Sequence, residues 1–244
     1  MNNHSSRPSY FGPYALRKNS RHARTANKRA INQIVDAFAR VTLGNGVSIR
    51  EADVIDDYGT ESERAAARDQ DEIHDWQRIP DEDIENHSSV LCFMDDDGLR
   101  FHLPAYMRFT LCRYRESESI SADATIYRLC DPNCIDRLLV HLTNQQINAI
   151  KAFLTTCLVI GDGWLDVANV PLALRHWSGD EAACEELRAR QTEQNAAAKK
   201  LSGIFSRLDP ELLQKCMGGN LTEDERQKLL GLMRDATGKS SPNG

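Results

Sequence analysis

Val90-Leu91-Cys92-Phe93-Met94-Asp95-Asp96-Asp97-Gly98-Leu99-Arg100-Phe101-His102-Leu103-Pro104 is the stretch on which the fold turns. Two short apolar runs, Val90 to Met94 and Leu99 to Leu103, flank three aspartates and a glycine. Short apolar runs bounded by turn residues read as strands, and the acidic run ending in Gly98 reads as the turn between them, with the glycine supplying a positive φ. The stretch therefore predicts a β-hairpin. Strand alternation sends Phe101 and Leu103 to the core and turns Arg100 and His102 outward, beside Asp95, Asp96 and Asp97. Pro104 then suits the first position of a helix that carries Tyr106 to Leu111. Ala124 to Leu129 reads as a third short strand.

Helices surround this element. Ile31, Ile34, Val35, Phe38 and Val41 recur at three- and four-residue spacing, which predicts a helix over Asn27–Leu43 stopped by Gly44-Asn45-Gly46. A short helix follows over Ile49–Tyr58. Thr60-Glu61-Ser62-Glu63 is a capping box opening a helix that extends toward Trp76. Asp81 to His87 is another, with its carboxylates at the positive end of the helix dipole. Thr143 caps a helix whose Ile147, Ile150, Phe153, Leu154 and Leu158 form an apolar stripe, and Trp164 to Trp177 is apolar but split by Pro171. The expected class is α+β, mainly helical: a small β-hairpin or short sheet packed by helices, with a C-terminal helical appendage. The expected organisation is a basic disordered arm over 1–29, a globular α+β domain over 30–179, a helical linker over 180–200, a helical hairpin over 201–237 and a tail over 238–244.

The chain has 244 residues, 41% hydrophobic and 27% charged, enough for a core without staples. No stretch is apolar for long enough to span a bilayer, and the N-terminus lacks the apolar segment of a secretory signal. A cytoplasmic location and no membrane partner are expected. Seven cysteines at irregular spacing read as free buried thiols, an odd number suiting no closed disulfide framework.

The net charge of −6 hides a sharp asymmetry. From Glu51 to Asp97 the chain is dense in carboxylates, with few cations among them. A solvated face is the simple account, and a docking face for a basic protein the functional one. Metal chemistry fits poorly. With Gly98 placed at the invariant glycine of an EF-hand, Phe93 and Pro104 fall where oxygen ligands are required. Cys130, Cys134 and His141 offer three donors where structural zinc wants four. No metal or cofactor is expected. The nucleophile-elbow, zincin and dinucleotide-binding motifs are absent, and Gly238-Lys239-Ser240 has no glycine or strand in the right place for a phosphate loop. His74, Asp75 and His87 invite acid–base chemistry, but adjacent helical residues diverge by about 100°.

Two motifs stand out: Asp75-Trp76 with Ile79-Pro80, and the run from Phe93 through Arg100-Phe101-His102-Leu103-Pro104-Ala105-Tyr106-Met107-Arg108. Taken in order over residues 30–160, they resemble an uncharacterised family of small bacterial proteins, a domain of unknown function. The resemblance implies a domain limit and no mechanism.

The residues expected to form a binding surface are Asp75, Trp76, Asp95, Asp96, Asp97, Arg100, His102 and Arg108. The expected function is a non-catalytic protein-binding module that meets a basic partner through its acidic surface, in the manner of an immunity or regulatory protein. One alternative is a metal-assisted hydrolase using the belt carboxylates with His74, His87 or His102. Another is an accessory protein contacting nucleic acid through the basic arm, although a pI near 5.7 argues against nucleic acid as the main partner.

Overall fold

Asp95 caps a helix where a hairpin turn was expected. Its Oδ1 accepts the backbone N–H of Gly98 at 2.8 Å, and a helix runs on from Asp96 to Arg113. The upstream run is a single 3-10 turn, Val90–Cys92. In this computed structural model, which describes residues 21–161, 163–206, 214–215, 222–227, 229 and 231, no strand occurs among the described residues. The hairpin, the short sheet and the third strand at 124–129 are therefore replaced by helix, and the α+β class by an all-helical one.

The physical reason is burial. Short apolar runs do not separate a buried strand from a buried helix, and alternation over four or five residues is weak. Every residue from Gly98 to Leu111 is buried except Arg100 and Arg108, so this helix is apolar nearly all round and carries no amphipathic signature. Pro104 lies in its interior, where a missing N–H and a crowded Arg100 carbonyl cost about 3 kcal/mol. Full burial of Leu99, Phe101, Leu103 and Phe109, at about 1.5–3 kcal/mol each, outweighs that cost. Gly98 is needed for close approach: a Cβ there would lie 2.5 Å from the Val47 carbonyl oxygen, and one on Gly46 would lie 2.5 Å from the Gly98 nitrogen.

In chain order the helices are α1 (Arg21–Phe38), α2 (Ile49–Asp56), α3 (Glu61–Arg68), α4 (Asp81–Asn86), α5 (Asp96–Arg113), α6 (Ser121–Cys130), α7 (Pro132–His141), α8 (Asn144–Ile160), α9 (Val170–His176) and α10 (Glu181–Phe205). α5 is the axis on which α1, α4, α6, α7 and α8 pack, and α1 also lies along α8. α1 starts before the expected Asn27, so residues 21–29 are helical, and it ends before Leu43. The Thr60 capping box forms, with Glu63 Oε2 accepting the Thr60 N–H at 2.7 Å. Its helix stops at Arg68, well short of Trp76, which opens a separate 3-10 turn, Trp76–Arg78.

The chain divides into two units, Met1–Leu187 and Arg188–Gly244. Residues 1–20 of the basic arm, most of the expected 201–237 hairpin and the whole 238–244 tail lie outside the described residues. No helix among the described residues is long and apolar enough to cross a membrane.

Candidate functional site

Part of the acidic belt is paired within the chain. Arg50 reaches Asp71 and Asp83 at 2.6 Å each, and its backbone N–H donates to Asp71 as well. Asp71 is almost fully buried. The hydrogen bond to Asp83 is the main cause holding the Arg50 guanidinium above its usual pKa, against the effect of burial. Glu51 takes Arg64 at 2.9 Å and Arg68 at 3.1 Å, while Arg68 also donates to the Gly44 and Gly46 carbonyls and so latches the loop before α2. Asp53 meets His87 at 2.8 Å, and Asp81 meets Arg113 at 2.9 Å. The open carboxylate field expected from the sequence is thus in part a set of ties within the fold. Asp56, Asp57, Glu61, Glu63, Asp69, Glu82, Asp95 and Asp97 remain exposed.

The eight expected binding residues do not form one surface. Asp75 caps the 3-10 turn, accepting the Gln77 N–H at 3.0 Å. Trp76 is buried and its indole N–H donates to the Phe38 carbonyl at 2.9 Å, fastening the end of α1. Arg108 donates to the Gln77 and Ile79 carbonyls at 2.9 and 3.2 Å and lies 5.8 Å from the centre of the Trp76 ring. The two sequence motifs therefore meet as a structural clamp. Asp95 caps α5 and also accepts the Val47 N–H at 3.0 Å. Asp96 pairs with Arg137 and, at 3.0 Å, with His141, while Asp97 is exposed. Arg100 is half-buried, and its Nε finds no acceptor among the described residues.

His102, expected to face outward, is fully buried. A helix places it one turn from Gly98, so its Nδ1–H donates to the Gly98 carbonyl at 2.8 Å while Nε2 has no partner. Burial pushes its pKa down to about 4. Cysteines also depart from expectation: Cys92 and Cys112 are exposed, whereas Cys130, Cys134, Cys157 and Cys184 are buried.

A group with no connecting motif in the sequence lies at the junction of α7, α9 and α10. His176 ends α9, the chain turns through Gly179 at φ +89°, and Asp180 opens α10 by accepting the Ala183 N–H at 3.2 Å. Asp180 is held below its usual pKa chiefly by its hydrogen bond from Arg175. Trp177 anchors the turn by donating its indole N–H to the Leu129 carbonyl at 3.0 Å. The turn brings Cys184, in the first turn of α10, back to His176, and α7 packing on α9 supplies Asp136.

The donor atoms of Asp136, His176 and Cys184 all lie within 4.8 Å of one another. His176 Nε2 is 3.0 Å from Asp136 Oδ1, the distance of an ion pair, yet that nitrogen makes no hydrogen bond. Both atoms thus stand close without the alignment that a ring N–H aimed at a carboxylate would have. Ligands around a tetrahedral zinc, with bonds of about 2.0–2.3 Å, stand about 3.3–3.8 Å apart, a range that lies between the 3.0 Å of the Asp136–His176 pair and the 4.8 Å that bounds all three donors. His176 and Cys184 are buried and Asp136 is 43% exposed, which leaves one side open to solvent. A half-open groove elsewhere, walled by Leu91, Ile120, Tyr127 and Arg128, includes none of the three. Separations of 40 and 8 residues in the chain carry no motif; the packing of α7 on α9 and the turn at Gly179 make them neighbours.

A family model described as a family of unknown function (DUF6714) matches residues 26–169. The matched residues contain the Trp76–Arg108 clamp and Asp136, while His176 and Cys184 follow them. No curated protein and no solved structure matches the chain.

Proposed function

The chain belongs to this family of unknown function, DUF6714, and we propose that it binds a divalent transition metal of zinc type through Asp136, His176 and Cys184 and uses it in metal-assisted hydrolysis. The observation that carries this reading is the convergence of the three donors, with a buried imidazole nitrogen that makes no hydrogen bond. A thiolate and an imidazole favour zinc-like ions over calcium or magnesium, which prefer oxygen. Three protein donors leave a fourth position for water or substrate, as in catalytic zinc sites. An ion held by Asp136, His176 and Cys184 would lower the pKa of bound water and polarise a carbonyl or phosphoryl oxygen. The half-exposed Asp136 is the side of the group open to solvent, from which a substrate would enter.

Docking of a basic partner through the acidic belt keeps only part of its premise, because Glu51, Asp53, Asp71, Asp81 and Asp83 already have basic partners in the chain. The hydrolase keeps its chemistry and changes its residues, from the belt to the α7–α9–α10 junction.

The test is titration of the purified chain with Zn²⁺ and Co²⁺, read by metal content and by cobalt–thiolate absorption. One ion per chain is expected. Because loss of an outer-shell partner already weakens metal sites by about 10–100-fold, H176Q and C184S should each lose about 100-fold or more. Unchanged binding in both variants refutes the site. Stoichiometric zinc without chelator-sensitive cleavage of ester, phosphoester or peptide probes removes the hydrolytic half of the reading.

A further inference from the structure

We infer that the half-open groove between α6, the 3-10 turn Val90–Cys92 and the segment leading into α9 binds a small organic ammonium with an apolar body. The groove has a volume of about 460 Å³, inside the roughly 300–1,000 Å³ of small-molecule sites. It lies wholly within the Met1–Leu187 unit. One wall is a face of α6 and its cap: Ile120, Asp123, Ala124 and Tyr127 stand at three-, four- and seven-residue spacing, so they share a side of the helix. Ala122, Thr125 and Leu129 on its other side are buried.

The apolar part of this lining is uncovered. Ile120 and Tyr127 are each 57% exposed, and Leu91, itself buried, lines the groove with them. Single exposed apolar side chains are ordinary, whereas two on one helix face that wall a concavity form a patch suited to a ligand.

Charge selects the ligand. Asp123 and Asp166 both line the groove. Asp123 Oδ1 accepts the Asp166 N–H at 3.0 Å, and Asp166 Oδ1 accepts the Ala168 N–H at 3.2 Å. One oxygen of each carboxylate is thus fixed by backbone, and the first contact makes the two aspartates neighbours. Among the described residues no ion pair engages either, in contrast to Glu51, Asp71 and Asp83. The one cation among the described lining residues, Arg128, is tied to Asp131 at 3.2 Å. The uncompensated charge of the groove is therefore negative.

An ammonium group brings three N–H donors to such oxygens. Tyr127 lies one helical turn from Asp123 and offers an aromatic ring, which attracts cations. The apolar walls then cover the body of the ligand. An anionic ligand of the same shape meets two carboxylates and no free cation. Calcium takes about six to eight oxygens, more than two partly engaged carboxylates supply. The groove contains none of Asp136, His176 and Cys184, so this inference is independent of the metal site.

The experiment is titration of the full chain with 4-phenylbutylamine, followed by amide shifts in nitrogen–proton correlation spectra, with EDTA present so that no ion at the metal site contributes. A Kd of about 1 mM or below is expected for a probe of this size, with the shifts centred on residues 120–128 and 166–169. The neutral 4-phenylbutanol should bind at least tenfold more weakly, and 4-phenylbutyrate not measurably. D123N/D166N keeps both side-chain oxygens that accept backbone N–H groups and removes both charges; it should lower affinity for the amine at least tenfold with an unchanged melting temperature. Y127L, which keeps apolar area and removes the ring, should lower it about two- to fivefold. D69N/D97N, which removes as much charge at exposed positions outside the groove, should retain binding. The inference is overturned if the amine does not bind, if alcohol or carboxylate binds as well as the amine, if D123N/D166N binds like the parent, if D69N/D97N loses as much, or if a lysine-rich peptide or Ca²⁺ added without EDTA shifts the groove amides while the amine does not.

Discussion

Gly98→Ala separates a helical glycine held by close packing from a glycine that merely tolerates its place. In an ordinary exposed helix the change to Ala stabilises by about 1 kcal/mol, because glycine pays more backbone entropy on folding. At Gly98 the new Cβ would sit 2.5 Å from the Val47 carbonyl oxygen, 2.8 Å from Asp95 Oδ1 and 3.2 Å from the Val47 nitrogen. Two of these are backbone atoms of a loop that is itself pinned, since Asp95 Oδ1 accepts the Val47 N–H at 3.0 Å and Arg68 holds the Gly44 carbonyl at 2.6 Å. The loop has to shift by more than half an ångström, at the expense of the Asp95–Val47 hydrogen bond. Overpacking costs about 1–3 kcal/mol and a lost hydrogen bond about 1 kcal/mol, so the clash exceeds the propensity gain. The expected net loss is about 1–3 kcal/mol, which lowers the melting temperature by about 2–4 °C per kcal/mol in a chain of this size. Urea unfolding followed by far-ultraviolet circular dichroism measures it. An Ala variant as stable as the parent, or more so, would refute the close approach of the loop to α5 and with it the account of why the glycine is there.

Two further predictions concern buried charge. Arg50→Met leaves Asp71, whose side chain is 3% exposed, without its cation, and should destabilise by about 3–5 kcal/mol in urea melts; adding Asp71→Asn and Asp83→Asn should recover part of the loss, and a drop below about 1 kcal/mol would contradict the inward-facing pair. His102 has its pKa pushed down to about 4 by burial, from an ordinary value near 6.5. Between these values the unfolded chain binds a proton that the folded one does not, so stability falls as the pH drops below about 6.5 and the loss levels off below about 4, reaching about 3 kcal/mol. In His102→Leu this part of the acid sensitivity should vanish, seen as a narrowing of the stability gap between the two proteins from pH 7 to pH 4.5; parallel pH profiles would place the titration elsewhere.

Local chemistry was legible in the sequence wherever a side chain acts on its own backbone. The Thr60 and Thr143 caps, the acidic opening of α4 and the apolar stripe of α1 follow from residues within one or two turns, and the structure has them. The acidic opening of α5 was visible too, but a cap and a turn use the same aspartates. What separates them is Val47, distant in sequence, whose carbonyl leaves no room for a side chain on Gly98. The candidate metal site had still less of a trace: Asp136, His176 and Cys184 share no periodicity, and their meeting depends on α7 packing against α9 and on the turn at Gly179.

Charge was read correctly in amount and wrongly in place. Composition fixes how many carboxylates lie between Glu51 and Asp97, but only packing decides that Arg50 reaches two of them across the domain and that Arg68 reaches a third. The sequence alone determined which segments are helical by cap and stripe, because those are properties of neighbours along the chain. Tertiary structure alone decided that Val90–Leu103 is not a hairpin, which carboxylates are spent on the fold and where three metal donors converge, because each of those depends on burial, and burial depends on residues distant in sequence.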